Sequence, residues 1–204
     1  MTDIAILLYE GFDELDAIAP YEVFQTAGAL GADITARLVT LDDADEVTAS
    51  HGLRVGVDGT LDPETDRPDV FVVPGGGWNN RSDAGAWAEA ERGVVPDAAA
   101  TLHAAGVTVA SVCTGGMLLA RAGLTDGRTA VTHASAVDDL RESGANVVDA
   151  RVVDDGDLLT AGGVTSGLDL ALHLVERFGD AEIAERVATE IEYDRRFDVR
   201  VSTV

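Results

Sequence analysis

Residues 107–116 read VTVASVCTGG. The first six are small or β-branched and uncharged, the composition of a strand buried on both faces. The Gly115–Gly116 pair then permits a sharp turn, and MLLARA (117–122) resumes with helix-forming residues. A strand that breaks directly into a helix is the repeating unit of an α/β fold. The same pattern stands upstream, where PDVFVVPGGG (68–77) runs into a Gly-rich turn and AGAWAEAERGVVPDAAATLHAAG (84–106) is helical, with Pro96 predicted to mark a break or restart.

Working outward, DIAILLY (3–9) reads as a buried strand. Phe12 to Ala29, apolar at Leu15, Ile18, Ala19, Val23 and Phe24, reads as an amphipathic helix ending at Gly28 or Gly31. ITARLVTL (34–41) is a second strand, and EVTASHGLRVGVD (46–58) a hairpin around His51-Gly52. Beyond the cysteine the pattern predicts a helix to about Ala122, a short strand in RTAVTH (128–133), a helix over Ala134 to Glu142 and a strand in ANVVDARVV (145–153). DLLTAGG (157–163) follows, then helices in TSGLDLALHLVERF (165–178) and DAEIAERVATEIEY (180–193). This alternation predicts a parallel sheet covered by helices on both faces, in one domain spanning residues 1–204. In such sheets ligands gather at the carboxyl ends of strands, which singles out the turns at 72–77 and 111–116.

Composition narrows the function. The formal net charge is -23, and all 14 basic residues are arginine. Acidic side chains hold water, and at about 1 M salt the Debye length is roughly 3 Å, so self-repulsion is screened; adaptation to strong salt is the expected reading, with recruitment of a cationic partner as the alternative. Clustered Lys and Arg, the footprint of phosphate-backbone binding, are missing, which argues against nucleic acid. A single cysteine cannot form an internal disulfide, and with four scattered histidines it offers no zinc-type spacing, so no metal site is expected. The apolar run at 4–9 is too short for a leader and is flanked by Asp3 and Glu10, and the uncharged stretch 98–120 is interrupted by His103, Gly106 and Gly115-Gly116. A cytoplasmic protein without a membrane span is expected.

Cys113 has two readings. Free cysteine is among the most buried residues and serves as a small apolar filler. On a strand-to-helix elbow the sulfur is lifted out of the sheet near unpaired N–H groups, which favour thiolate, so a lowered thiol pKa is expected. Asp16, in the first helix, reads alone as a solvated or capping residue.

Together, SVCTGG, VPGGG, ILLYEGFDELDAIAPYEVF, TDGRTAVTH and DGDLLTAGGVTSGLDLALHLVE resemble the DJ-1/PfpI superfamily from about Ile4 to Tyr193, and within it the isocyanide hydratase branch. Cys-Thr-Gly at the elbow and Leu-Asp in the first loop carry the branch likeness, and both also occur in ligand-sensing domains of some transcription regulators. The resemblance implies a flavodoxin-like three-layer sandwich, a homodimer, no cofactor, and a nucleophilic Cys113 with Asp16 as its acid. It also implies Thr114 as a catalytic partner in place of the histidine that follows the cysteine in protease-like relatives. The N–H of Gly76, beside Gly75, is implied as an oxyanion donor. His133 matches a histidine near the site across the dimer interface. Trp78 is read as a pocket wall or plain packing, and His51, His103 and His173 as structural. Three functions follow: a lyase hydrating small isocyanides to formamides, a non-catalytic redox or metabolite sensor, and a glyoxalase- or deglycase-like enzyme. The chain's end at Val204 leaves no room for the DNA-binding extension of the regulators.

Overall fold

The computed structural model describes residues 1–196 and 198–202; Val204 lies outside them. The chain runs β1 (Thr2–Leu7), α1 (Glu14–Ala29), β2 (Ile34–Thr40), a hairpin of β3 (Glu46–Thr48) and β4 (Arg54–Gly56), β5 (Gly59–Thr60) and β6 (Val70–Val73). Then come α2 (Ala86–Arg92), α3 (Val94–Ala104), β7 (Thr108–Val112), α4 (Gly115–Arg121), β8 (Thr129–Ala130), α5 (Val137–Glu142) and β9 (Asn146–Val147). The last part holds β10 (Val152–Asp154), β11 (Leu158–Ala161), α6 (Ser166–Phe178), α7 (Ala181–Glu190) and β12 (Val199–Val201).

Eight strands form one sheet in the order β12-β10-β11-β7-β6-β1-β2-β5, parallel throughout except where β10 meets β11. Helices α1, α6 and α7 pack together, as do α2, α3 and α4. The expected flavodoxin-like α/β sandwich is therefore the observed architecture. Ile4, Ile6, Val70, Val72, Val109 and Val112 are wholly buried in the central strands, which is why these strands read as continuous apolar runs rather than alternating ones. No helix among the described residues is long and apolar enough to cross a membrane.

Local departures from the expected elements have local causes. The helix break before residue 106 lies at Gly93, in the left-handed region at φ 79°, whereas Pro96 sits in the first turn of α3, where a missing N–H costs nothing. ANVVDARVV divides into β9, paired with β8 outside the main sheet, and β10, paired within it. Residues 134–142 start as a 3-10 turn, Ala134–Ala136, which the His133 side chain caps by accepting from Ser135 N–H.

Parallel order brings the ends of β1, β6, β7 and β11 to one edge. The loops there, beginning at Leu8, Pro74, Cys113 and Gly162, build the site.

Candidate active site

Cys113 is the first residue after β7 and has φ 58°, a conformation rarely adopted by a side chain-bearing residue. The surroundings hold it there. Its N–H donates to the carbonyls of Ala161 and Gly162 (3.1 and 2.8 Å), and its own carbonyl accepts from Thr132 Oγ1 at 2.8 Å. Main chains meet closely beside it: a Cβ on Gly75 would lie 2.5 Å from both Thr114 N and Thr114 Oγ1, and one on Gly115 would strike the carbonyls of Val73 and Pro74. Both glycines are thus required by the approach of the β6 turn to the elbow. Tyr9 pins that turn, donating its hydroxyl to Pro74 O at 2.6 Å, and burial among carboxylates raises its pKa well above the phenol range, so it stays a donor.

Asp16 lies in the first turn of α1 and is completely buried. Gly75 N–H donates to its Oδ2 at 3.0 Å, while no conventional donor reaches the buried Oδ1. The carboxyl and the Cys113 thiol are near enough for each to shift the other's titration. Burial, reinforced by the charge of Asp13, raises the Asp16 pKa to about 8 against the pull of Gly75 N–H and the thiol. The protonated acid is therefore the resting form at neutral pH, and it gives Asp16 a proton to present to sulfur. The structure brings together the two residues picked out from sequence.

Two expectations are corrected. The Cys113 thiol is pushed up, not down: burial is the main cause and the Asp16 charge the next, and both outweigh the Thr114 N–H that favours thiolate. Nor is Gly76 N–H free to meet an oxyanion, because it donates to Thr114 Oγ1 at 2.9 Å. Gly75 N–H is likewise spent on Asp16. Both glycines position the pair, and Thr114 acts first as an acceptor with its own hydroxyl proton left to give.

Cys113, only 6% exposed, forms the floor of a cavity of about 670 Å³ that Gly76, Trp78, Thr114, His133 and His51 also line. Trp78 is both wall and packing: its Nε1 donates to Asp139 Oδ2 at 2.7 Å, and its ring meets Trp87 edge-on at 5.1 Å. His133 reaches the cavity from the same chain as Cys113. Its Nδ1 accepts from Ser135 N–H at 3.2 Å, which places the ring proton of a neutral imidazole on Nε2.

His173 and His103 are structural, as expected: His173 Nε2 lies 2.7 Å from Asp154 Oδ2 and His103 Nε2 lies 3.3 Å from Asp157 Oδ2. His51 is different. It stands on the cavity rim with Nδ1 2.6 Å from Glu14 Oε2, the contact that chiefly raises its pKa. Burial opposes ionisation of Glu14, but hydrogen bonds from His51 and Ser50 outweigh it and bring the carboxyl to about 2. Asp13, Glu14 and His51 offer three ligand atoms within 4.8 Å of one another, a spacing compatible with a cation. Two of the three are already bonded to each other, and Asp13 caps α1 through Leu15 N–H.

The chain has known relatives in sequence and in fold. The chain is 36% identical over 192 residues to "Isonitrile hydratase" of Pseudomonas putida, covering 93% of this chain and 78% of that one. It is 31% identical over 193 residues to an HTH-type transcriptional regulator of Pseudomonas aeruginosa, covering 92% of this chain but 54% of the regulator. The crystal structure of a ThiJ/PfpI family protein from Pseudomonas syringae superposes with a TM-score of 0.82 at 31% identity, covering 97% of this chain and 78% of that one. With residues 2–177 matched by the family's own sequence model, and with the elbow, buried acid and sheet order in place, the chain belongs to the DJ-1/PfpI family.

Proposed function

We propose that the protein is a lyase that hydrates small isocyanides to N-substituted formamides at Cys113. One observation carries this reading: a nucleophile held on an elbow beside a buried carboxyl whose proton stays on until about pH 8, both at the floor of a cavity sized for a small molecule. The likeness to an isonitrile hydratase over most of the chain supports the same choice.

An isocyanide carbon needs a nucleophile and a proton delivered to the same atom. In the singly protonated pair, one proton is shared between sulfur and carboxyl. Cys113 sulfur bonds to the terminal carbon as that proton passes through Asp16 to the same carbon, leaving a thioimidate and an Asp16 carboxylate. Water then adds to the carbon. One of its protons passes through Asp16 to nitrogen, and the S–C bond breaks as the second returns to the pair and the carbonyl forms. The products are the formamide and the starting singly protonated pair, so the cycle consumes one isocyanide and one water. The Thr114 hydroxyl and the Nε2–H of His133 are donors in the lining of the same cavity.

The redox-sensor alternative uses the thiol alone and gives the buried, protonated acid beside it no task. The test is formamide production from a panel of isocyanides, with methylglyoxal alongside, by wild type, Cys113→Ala and Asp16→Asn in high salt. Formamide lost in both variants supports the lyase; no formamide from any isocyanide refutes it, and turnover of methylglyoxal instead would assign the site to aldehydes.

A further inference from the structure

The cavity's walls carry an uneven set of charges. Glu10 and Asp13 line it. His51 lines it too, its charge matched by Glu14, and the His133 ring is held by its Ser135 contact. Among the described residues no arginine lines the cavity, and the chain contains no lysine. Arg81 is the informative case. It belongs to the lining loop, between Asn80 and Ser82, yet its guanidinium turns away to lie 4.7 Å from the Trp87 ring centre, in a separate surface depression with Asp139 and Glu142.

Next to the reacting pair the backbone donors are already engaged: Gly75 N–H serves Asp16 and Gly76 N–H serves Thr114 Oγ1. The reacting pair itself becomes negative when it loses its first proton. A carboxylate reaching the floor meets like charge there and passes the acidic side chains of Glu10 and Asp13 on the wall.

We infer that the cavity selects against anions, so that the substrate's non-reacting substituent is neutral or cationic and bears no carboxylate, phosphate or sulfonate. This rests on the cavity being the substrate site of the proposed lyase. It is a local property, distinct from the field of a chain with net charge -23. Paired substitutions separate the two, because changes at Glu10 and Asp13 alter the lining whereas equal charge changes at remote exposed acids alter only the field.

Cys113 is the sole thiol, so charged thiol reagents report on the site directly. A methanethiosulfonate carrying a trimethylammonioethyl group and one carrying a sulfonatoethyl group each form a mixed disulfide with Cys113 and release methanesulfinate. With both rates normalised to 2-mercaptoethanol, the cation is expected to react about tenfold faster or more in dilute buffer. Glu10→Gln with Asp13→Asn should shrink the lead several-fold, whereas Asp97→Asn with Glu182→Gln, an equal charge change on remote exposed helix positions, should leave it intact. A lead that ignores the Glu10/Asp13 changes, or that falls as far with the remote pair, overturns the inference. A second arm compares hydration of butyl isocyanide with its dimethylamino-substituted and carboxylate-substituted analogues. Equal hydration of the carboxylate and butyl compounds sinks the selection rule and leaves the lyase standing. A persistent lead of the cationic reagent with no isocyanide hydrated upholds the rule and removes the lyase.

Discussion

Asp16→Asn isolates the electrostatics of the pair with little change in shape. The carboxamide oxygen can still accept from Gly75 N–H, as Asp16 Oδ2 does at 3.0 Å, and the NH₂ can still donate to sulfur. What disappears is the charge that opposes thiolate once Asp16 has ionised, above about pH 8. Two unit charges roughly 4 Å apart repel by about 4 kcal/mol at an effective dielectric of 20. At 1.36 kcal/mol per pH unit this moves the Cys113 midpoint down by about 3 pH units in the variant. The single cysteine gives a single ¹³Cβ resonance after selective labelling, so the midpoint can be followed by NMR without interference from tyrosine. Hydration should nevertheless fall by about 10²-fold or more, because the amide has no proton to transfer to carbon. A thiol that titrates identically in both proteins would refute the coupling, and a variant that hydrates isocyanides at the wild-type rate would refute the acid role.

Other outcomes follow from the same geometry. Wild-type hydration should rise with pH up to about 8, as the pair loses its first proton, and then level off; a profile flat from pH 6 to 9 contradicts this. Asp16 ionises near 3.8 when unfolded and near 8 when folded, so its folded-state contribution is complete below 3.8 and is lost as pH rises through 8. That gap corresponds to roughly 6 kcal/mol at most, so Asp16→Asn should raise the melting temperature at pH 8 and leave it unchanged at pH 3.5, as scanning calorimetry would read. Gly75→Ala should destabilise by about 1–3 kcal/mol or prevent folding, since its methyl meets Thr114 main chain, and an unchanged denaturant midpoint would contradict the close approach. If the net charge of -23 marks salt adaptation, the melting temperature should climb between low salt and about 1 M NaCl; a flat response argues for the partner-binding alternative.

The sheet and the pair at its edge were legible because they rest on local signals: uncharged β-branched runs, glycine turns, and a cysteine at the point where strand pattern becomes helix pattern. His51 was not. Its place on the rim depends on the β3–β4 hairpin folding onto the β1–α1 loop, through Gly11 N–H to Thr48 O at 2.9 Å and Ser50 N–H to Phe12 O at 2.8 Å, backbone contacts that carry no side-chain signature. Tyr9 and Thr132, which fix the turn and the elbow carbonyl, were missed for a similar reason: each acts through long-range hydrogen bonds to main-chain carbonyls. The sign of the thiol's displacement was misread because helix position is visible in a sequence and depth of burial is not. Gly76 was assigned an oxyanion role that the Thr114 rotamer forecloses.

Gly75 and Gly115 let two main chains touch where most folds interpose side chains. The height and tilt of the Cys113 sulfur are accordingly set by peptide planes, which point substitutions elsewhere can hardly adjust. Diversification of this scaffold would have to leave the reactive atom where it is and work on the surrounding walls, the 48–51 hairpin tip and the 78–82 loop, so that descendants exchange what they accept long before they exchange how they react.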